Sequence, residues 1–200
     1  MPIDFALTLL CALPFLACAL VLILPRQGTG TGAVWVAGGV GGVLGLLTMV
    51  LFPQVAAQGV LTHTIEWIPQ LGLNITLRMD GLAWLFAVLI TVIGLLVVLY
   101  ARYYMSPKDP IARFYSLLLA FMGAMLGLVL SGNIIQLAIF WELTSLVSFL
   151  LIGYWYHRAD ARDGARMALI ITGTGGLALF VAVMLIGHIV GSYELDVVLA

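Results

Sequence analysis

One acidic side chain stands in the middle of a long apolar segment and is the strongest candidate for chemistry in this sequence. Glu142 lies nine residues after Asn133, in a stretch of mostly apolar residues. At ~1.5 Å of helix per residue, Glu142 would lie about 14 Å into the segment, near the centre of a hydrocarbon layer ~30 Å thick. An acid at that depth is costly unless it faces a bundle interior, water or a partner, so it predicts a functional site.

The chemistry that such an acid can perform is proton transfer. Apolar helices disfavour the charged form of a carboxyl, so it can bind and release a proton when a nearby cation moves. Thr144, Ser145 and Ser148 follow within two turns and are the supporting polar residues. A neutral Glu142 satisfied by a hydrogen bond between helices is the alternative. No Lys, Arg or His is predicted at the same depth, so a partner for Glu142 is expected outside this stretch.

Other residue patterns give weaker signals or none. Asp80 opens a predicted helix, where an acid caps unpaired amides; an outer-side acid that binds an ion is the alternative. Cys11 and Cys18 have no His or acid at a ligand spacing, so no metal site is predicted. The phosphate-loop and dinucleotide motifs are absent, so no cofactor is predicted. With 8 basic and 9 acidic residues, no nucleic-acid partner is expected.

The elements that position Glu142 follow from composition. Of 200 residues, 64% are hydrophobic and 8% are charged, more apolar surface than a soluble core can bury. At ~20 residues per span this is enough for roughly six membrane helices. The sequence therefore predicts an all-α integral membrane bundle in a lipid bilayer, with helices at about 5–25, 33–52, 80–103, 114–131, 134–156 and 167–190.

The long connection 53–79 is expected to hold an extracytoplasmic β-hairpin between helices two and three. From Leu71 to Met79 apolar and polar residues alternate, which is typical of a strand. Ile65 and Trp67 precede a break at Pro69 and Gln70. These features predict two short strands that lie on the outer surface.

The basic residues predict the orientation. Lys and Arg in short loops are retained on the cytoplasmic side of a membrane. Arg78 falls on one predicted side, and all other basic residues fall on the opposite side, namely Arg26, Arg102, Lys108, Arg113, Arg158, Arg162 and Arg166. We therefore expect a multi-pass protein of the cytoplasmic membrane with its N-terminus outside and its basic loops in the cytoplasm.

Glycine spacing indicates close helix packing. Helix two carries two G-x-x-x-G spacings, and helix four repeats the pattern; small residues at this spacing let helix backbones approach in lipid. The pairs are Gly38/Gly42, Gly41/Gly45 and Gly123/Gly127. Gly173, Gly175 and Gly176 in helix six are interpreted in the same way, as packing residues with no charged neighbour. A broken helix at a transport site is the alternative.

Several segments together resemble one known family. They are residues 67–74, 80–91, 121–131, 140–145 and 173–178. In combination they are similar to the N-terminal part of the large subunit of the Mrp-type multisubunit monovalent cation/proton antiporters, over nearly the whole sequence. The most specific of them is Phe-Trp-Glu-Leu-Thr-Ser at 140–145, placed in mid-membrane. The same large subunit is similar to the antiporter-like subunits of respiratory complex I.

The resemblance implies a role for Glu142 and a set of partners. Glu142 matches the family's essential membrane glutamate in the fifth helix, which carries a proton and pairs with a lysine in the seventh. Exchange of a monovalent cation, Na⁺ in the first instance, for protons is implied, as are further membrane subunits in a hetero-oligomeric complex. The sequence stops at Ala200, before any such lysine, so we expect it to be the N-terminal portion of a longer subunit.

Two alternatives remain at this point. One is a proton-pumping membrane subunit of complex I or of a membrane-bound hydrogenase, in which another subunit performs the electron chemistry. The other is a structural or assembly module, in which an apolar residue could replace Glu142 without loss of transport. The favoured interpretation is a subunit of a secondary transporter and not an enzyme.

Overall fold

A computed structural model describes residues 2–23, 31–68, 73–106 and 109–200. Within these ranges, six helices are long and apolar enough to cross a membrane. The elements are α1 (Ile3–Ile23), α2 (Thr31–Gln58), β1 (Leu61–Ile68), β2 (Leu73–Met79), α3 (Gly81–Tyr104), α4 (Ile111–Val129), α5 (Ile134–Ile152), α6 (Ala159–Val190) and the short α7 (Leu195–Val198). The predicted fold class, a membrane bundle with a hairpin between helices two and three, is confirmed.

Several helix ends differ from the ranges that the apolar runs indicated. α2 continues through Pro53 to Gln58, and α6 begins at Ala159, within a charged segment. α5 ends at Ile152, before Gly153. The apolar run marks the part of a helix that lies in lipid, whereas backbone hydrogen bonding continues into water until a cap or a breaker ends it.

α4 lies at the centre of the bundle. It packs on α1 and α5 and also contacts α2 and α3, and it is the most buried of the six long helices. Tyr115 is fully buried and donates a hydrogen bond to the carbonyl of Val98 in α3 (3.2 Å). A buried hydroxyl needs such a partner, because an unpaired polar group in an apolar interior is costly. The central helix is thus fixed by both packing and hydrogen bonding.

The glycines predicted to pack do so on identifiable neighbours. A Cβ at Gly41 would lie 3.3 Å from Leu95 of α3, and those at Gly38 and Gly45 would lie 3.9 Å from α3 side chains. Cβ atoms at Gly123 and Gly127 would meet the rings of Phe15 and Phe140, respectively. The packing role is confirmed at these five positions, and the fourth glycine of the two helix-two pairs, Gly42, has no atom within 4 Å of such a Cβ.

The hairpin is antiparallel and irregular near its tip. Leu61 pairs with Met79, and the register continues to Ile65 and Ile75 before it shifts. The predicted break at Pro69 and Gln70, together with Leu71 and Gly72, lies outside the described residues. The end of the bundle that carries the hairpin is called the hairpin side below.

A layer of backbone hydrogen bonds joins the helix ends on the hairpin side. Gly132 N donates to Thr76 O (2.7 Å), and Leu195 N donates in turn to Gly132 O (2.8 Å). Ile134 N donates to Tyr193 O (2.9 Å). Through these bonds β2 is connected to the start of α5 and to the segment that follows α6, so the relative heights of α5 and α6 are fixed at this end.

Basic residues cluster at the opposite end of the bundle. They lie near the end of α3, the start of α4 and the connection into α6, and they are Arg102, Arg113, Arg158, Arg162 and Arg166. Arg26 and Lys108, which were predicted on the same side, lie outside the described residues. Arg78 is in β2, on the hairpin side.

Candidate functional site

The helix that carries the candidate acid begins at a well-defined cap. Asn133 is the N-cap of α5, and its side-chain oxygen accepts a hydrogen bond from Ile135 N (3.0 Å). Such a cap satisfies amides that the helix itself leaves unpaired. Asn133 Nδ2 also donates to Glu194 Oε1 (3.1 Å). The start of α5 is therefore fixed, and Glu142 stands at the ninth residue of this 19-residue helix.

Glu142 points at α6, where Gly176 leaves room for it. A Cβ built on Gly176 would overlap Oε1 and Cδ of Glu142. Glu142 itself is half-buried, whereas Gly176 is buried. The carboxyl therefore lies in the α5–α6 interface at mid-length of both helices, in direct contact with the α6 backbone.

The carboxyl has no polar partner in the part of the chain that the structure describes. Oε1 of Glu142 is buried and accepts no hydrogen bond there. The nearest charged residues along α6 are Arg166 and His188, about 15 and 18 Å from Gly176 at ~1.5 Å per residue. Towards the hairpin side the interface is closed by apolar residues, among them Ala138 and Val183. A buried polar atom left unpaired calls for an explanation, and functional sites are one of the usual ones.

The three hydroxyl residues predicted to support Glu142 make no hydrogen bond to it within the described ranges. Thr144 and Ser145 both donate to the carbonyl of Trp141, at 2.7 and 3.3 Å. Ser and Thr within helices commonly bond the carbonyl three or four residues earlier. Ser148 is half-buried. The structure thus places these residues on the same helix as Glu142 but does not join them to its carboxyl.

The expectation that the glycines of helix six have no charged neighbour is wrong for Gly176. Gly173 and Gly175 do face open space, with nothing within 4 Å of an added Cβ, but Gly176 contacts Glu142. The sequence did contain a signal for this contact. Two helices joined by a short connection pack antiparallel, so residues at equal depth in the two helices meet. This signal pointed to other residues, because the sequence predicted that the sixth helix begins at residue 167 and not at Ala159.

Asp80 lies on the hairpin side and not near Glu142. Its carboxylate caps α3 by accepting from Ala83 N (2.8 Å), and it forms an ion pair with Arg78, which also binds Asp196 Oδ1 (2.8 Å). Burial alone would raise the pKa of Asp80, but the Ala83 amide and the Arg78 guanidinium together hold it below its ordinary value. Burial would lower the pKa of Arg78, but the carboxylates of Asp80 and Asp196 together raise it above its ordinary value.

Arg78→Gln is expected to destabilise the hairpin side by about 1 kcal/mol, because it breaks two ion pairs at a site that is only partly exposed. Since the pKa of Asp80 is lowered in the folded state, the stabilisation is present at neutral pH and is lost as the pH falls through that lowered value. Thermal unfolding of the purified full-length protein at neutral pH measures the effect.

The matched control for this change is Arg166→Gln, since Arg166 forms a weaker pair with Asp163 (3.9 Å) and both side chains are more than two-thirds exposed. Equal unfolding midpoints for the two variants would contradict the role assigned to Arg78.

Sequence reasoning missed one buried polar residue near the cap of α5. Gln136 is 8% exposed and accepts a hydrogen bond from Thr76 N through Oε1 (2.9 Å). Its Nε2 is buried without a partner among the described residues. Gln136 therefore ties α5 to β2. The sequence carries no signal for this contact, because it depends on where the hairpin lies.

No group of three or more His, Cys, Asp or Glu residues that could hold a metal ion is found in the described ranges. Cys11 and Cys18 are free and partly buried in α1. Among the described residues, Glu142 is the only carboxyl with a buried oxygen that lacks a hydrogen-bond partner.

Two related families of membrane proteins match parts of this chain. Residues 67–115 match the family described as the N-terminus of NADH-ubiquinone oxidoreductase (complex I) chain 5. Residues 131–200, which include α5 and α6, match the transmembrane family of NADH:quinone oxidoreductase and Mrp antiporters. A probable K⁺/H⁺ antiporter subunit of Rhizobium meliloti is 63% identical over 94% of this chain.

Over these two ranges the chain matches the complex I and Mrp antiporter family of membrane subunits.

Two further members of this family support the assignment to its Mrp branch. A Na⁺/H⁺ antiporter subunit of Alkalihalophilus pseudofirmus is 48% identical over 76% of this chain. A chain of the Mrp complex from a Dietzia species superimposes with a TM-score of 0.83 at 29% identity, covering 97% of this chain and 21% of that one. The resemblance to the large Mrp subunit, inferred from the segments at 67–74 to 173–178, is thus confirmed.

The Mrp-like chain is short beside its relatives. It spans about a fifth of the length of the curated relatives it matches, 19% of the Rhizobium protein and 20% of the Alkalihalophilus protein.

Proposed function

We propose that this chain forms the N-terminal part of an Mrp-type secondary transporter subunit that exchanges a monovalent cation for protons, with Glu142 as the proton carrier. The observation that carries the proposal is the Glu142 carboxyl at mid-length of α5, whose buried Oε1 lies against Gly176 without a hydrogen-bond partner among the described residues. An acid held in this way inside a membrane bundle is suited to bind and release protons.

The names of the relatives indicate two candidate cations. One relative is named as part of a K⁺/H⁺ antiporter, and another as part of a Na⁺/H⁺ antiporter. No cluster of oxygen ligands that would distinguish the two ions is found in the described residues. Na⁺ and K⁺ are thus the two substrates to be compared, with H⁺ as the counter-ion.

The protein is a multi-pass membrane protein, and we infer its orientation in the membrane from its basic residues. With the basic end of the bundle in the cytoplasm and the hairpin outside, the segregation of Arg and Lys obeys the rule for short loops. The membrane would then be the cytoplasmic membrane. α6 is the least buried long helix, which fits contact with the remaining helices of a longer polypeptide and with partner membrane subunits.

The test is transport by the full-length subunit in its complex. Inverted vesicles from a host without its own antiporters are loaded with a pH-sensitive dye and energised, and Na⁺ or K⁺ is then added. We expect the proton gradient to collapse on addition of one of these cations, and not in vesicles that lack the subunit. A gradient unaffected by either cation would overturn the proposal.

A redox-driven pump subunit is the second candidate, because residues 67–115 match the N-terminus of a complex I chain. It predicts a different result in the same vesicles. Proton movement would follow the addition of an electron donor and would not depend on Na⁺ or K⁺. The identity of 63% to a named antiporter subunit favours the first candidate.

A further inference from the structure

Gly176 leaves space for the Glu142 carboxyl, and the other glycines nearby in α6 do not. Any Cβ at Gly176 would overlap Oε1 and Cδ of Glu142. Gly173 and Gly175 lie within one turn on the same helix, yet a Cβ on either would have nothing within 4 Å. The fit is therefore specific to Gly176 and is not a general property of this glycine-rich stretch.

This place, called the carboxyl seat below, consists of Gly176 and the facing Glu142. The seat accommodates the carboxyl by its shape. Within the described ranges it offers no hydrogen-bond donor to Oε1. On α5 itself the adjacent hydroxyls of Thr144 and Ser145 are bonded to Trp141 O.

The neighbouring helices bring no charged group to the seat either, within the part of the chain that the structure describes. α6 has Arg166 and His188 more than two turns away, and α4 carries Arg113 in its first turn. Tyr115 of α4 is bonded to Val98 O. What fixes the position of the carboxyl is thus contact with the α6 backbone, in a space that a single methyl group would fill.

We propose that Gly176 is a positioning residue for proton transfer, which holds the Glu142 carboxyl in the α5–α6 interface because it has no side chain of its own. The inference rests on the proposed function, in which Glu142 carries the proton. Proton transfer requires donor and acceptor within ~2.6–3.2 Å, and a displacement of about 1 Å can cost up to ~100-fold in rate. A methyl group at Gly176 would overlap Oε1 so closely that it would displace the carboxyl by at least that much.

The experiment uses the full-length subunit in its complex, with Gly176→Ala as the test and Gly173→Ala and Gly175→Ala as controls on the same helix. We expect Gly176→Ala to lower the initial rate of cation/proton exchange about tenfold or more. The two controls are expected to stay within about twofold of the wild type. Complex yield and thermal stability are measured for every variant.

A size-compensating pair separates positioning from ordinary packing. Glu142→Asp withdraws the carboxyl by about one carbon–carbon bond, ~1.5 Å, which makes room for the methyl group of Gly176→Ala. Adding Gly176→Ala to Glu142→Asp is therefore expected to change the exchange rate by less than about twofold, whereas adding it to the wild type lowers the rate about tenfold or more; this non-additive result marks direct contact.

Each outcome bears on one proposal. Wild-type exchange by Gly176→Ala, alongside an inactive Glu142→Gln, overturns the carboxyl seat and leaves the proposed function intact. An active Glu142→Gln overturns the proposed role of Glu142 itself. Should Gly176→Ala fail to assemble, restoration of assembly by Glu142→Asp supports the seat, whereas no restoration shows that Gly176 only packs.

Discussion

Complexes that carry Glu142→Gln in the full-length subunit are expected to assemble in normal amounts and to lose cation/proton exchange. Glutamine has nearly the same volume as glutamic acid, and Glu142 makes no hydrogen bond within the described residues that the change could break. The amide cannot bind and release a proton, and removal of an acid–base group typically costs about 10²- to 10⁴-fold in rate. The loss should therefore appear in transport and not in stability.

Dye-based exchange in inverted vesicles, normalised to the amount of assembled complex, measures this loss. Glu66→Gln is the matched control, because Glu66 is an exposed acid in β1 on the hairpin side, and it should exchange cations at the wild-type rate. If Glu142→Gln retained exchange over the whole active pH range, Glu142 would not be the proton carrier, and an assembly role for this chain would gain support.

Gly127→Ala is expected to destabilise the bundle, although alanine normally favours a helix over glycine by about 1 kcal/mol. Gly127 is buried in the central helix α4, and a Cβ there would overlap the ring of Phe140 in α5. Overpacking of a well-packed interior costs about 1–3 kcal/mol. Because Phe140 is two residues from Glu142, displacement of its ring should also lower the exchange rate.

Thermal unfolding of the detergent-solubilised full-length protein measures the destabilisation. Gly42→Ala is the matched control, since Gly42 is also a helical glycine but has nothing within 4 Å of an added Cβ; its unfolding midpoint should equal or exceed that of the wild type. Equal midpoints for the two variants would show that α5 can shift to accommodate the methyl group, and the α4–α5 contact would then not be a tight one.

The hairpin shows how much of the structure the alternation of apolar and polar residues can predict. Alternation along 71–79 predicted a strand, and the pairing of Leu61 with Met79 places the hairpin between α2 and α3 as expected. The same pattern could not show that Thr76 N bonds Gln136 or that Arg78 binds Asp196. Those partners lie 60 and 118 residues away in sequence, and local periodicity carries no information about them.

The sequence by itself determined that this protein is a bundle of membrane helices and singled out Glu142 as the candidate acid. Both conclusions follow from the properties of the lipid bilayer. A long apolar run must span it, and an acid within such a run is costly unless it faces a bundle interior, water or a partner. The tertiary structure decided that Glu142 meets Gly176 and that Thr144 and Ser145 turn back to Trp141. Contacts between helices depend on their relative height and rotation, which are set by the backbone layer on the hairpin side and by glycine packing against rings.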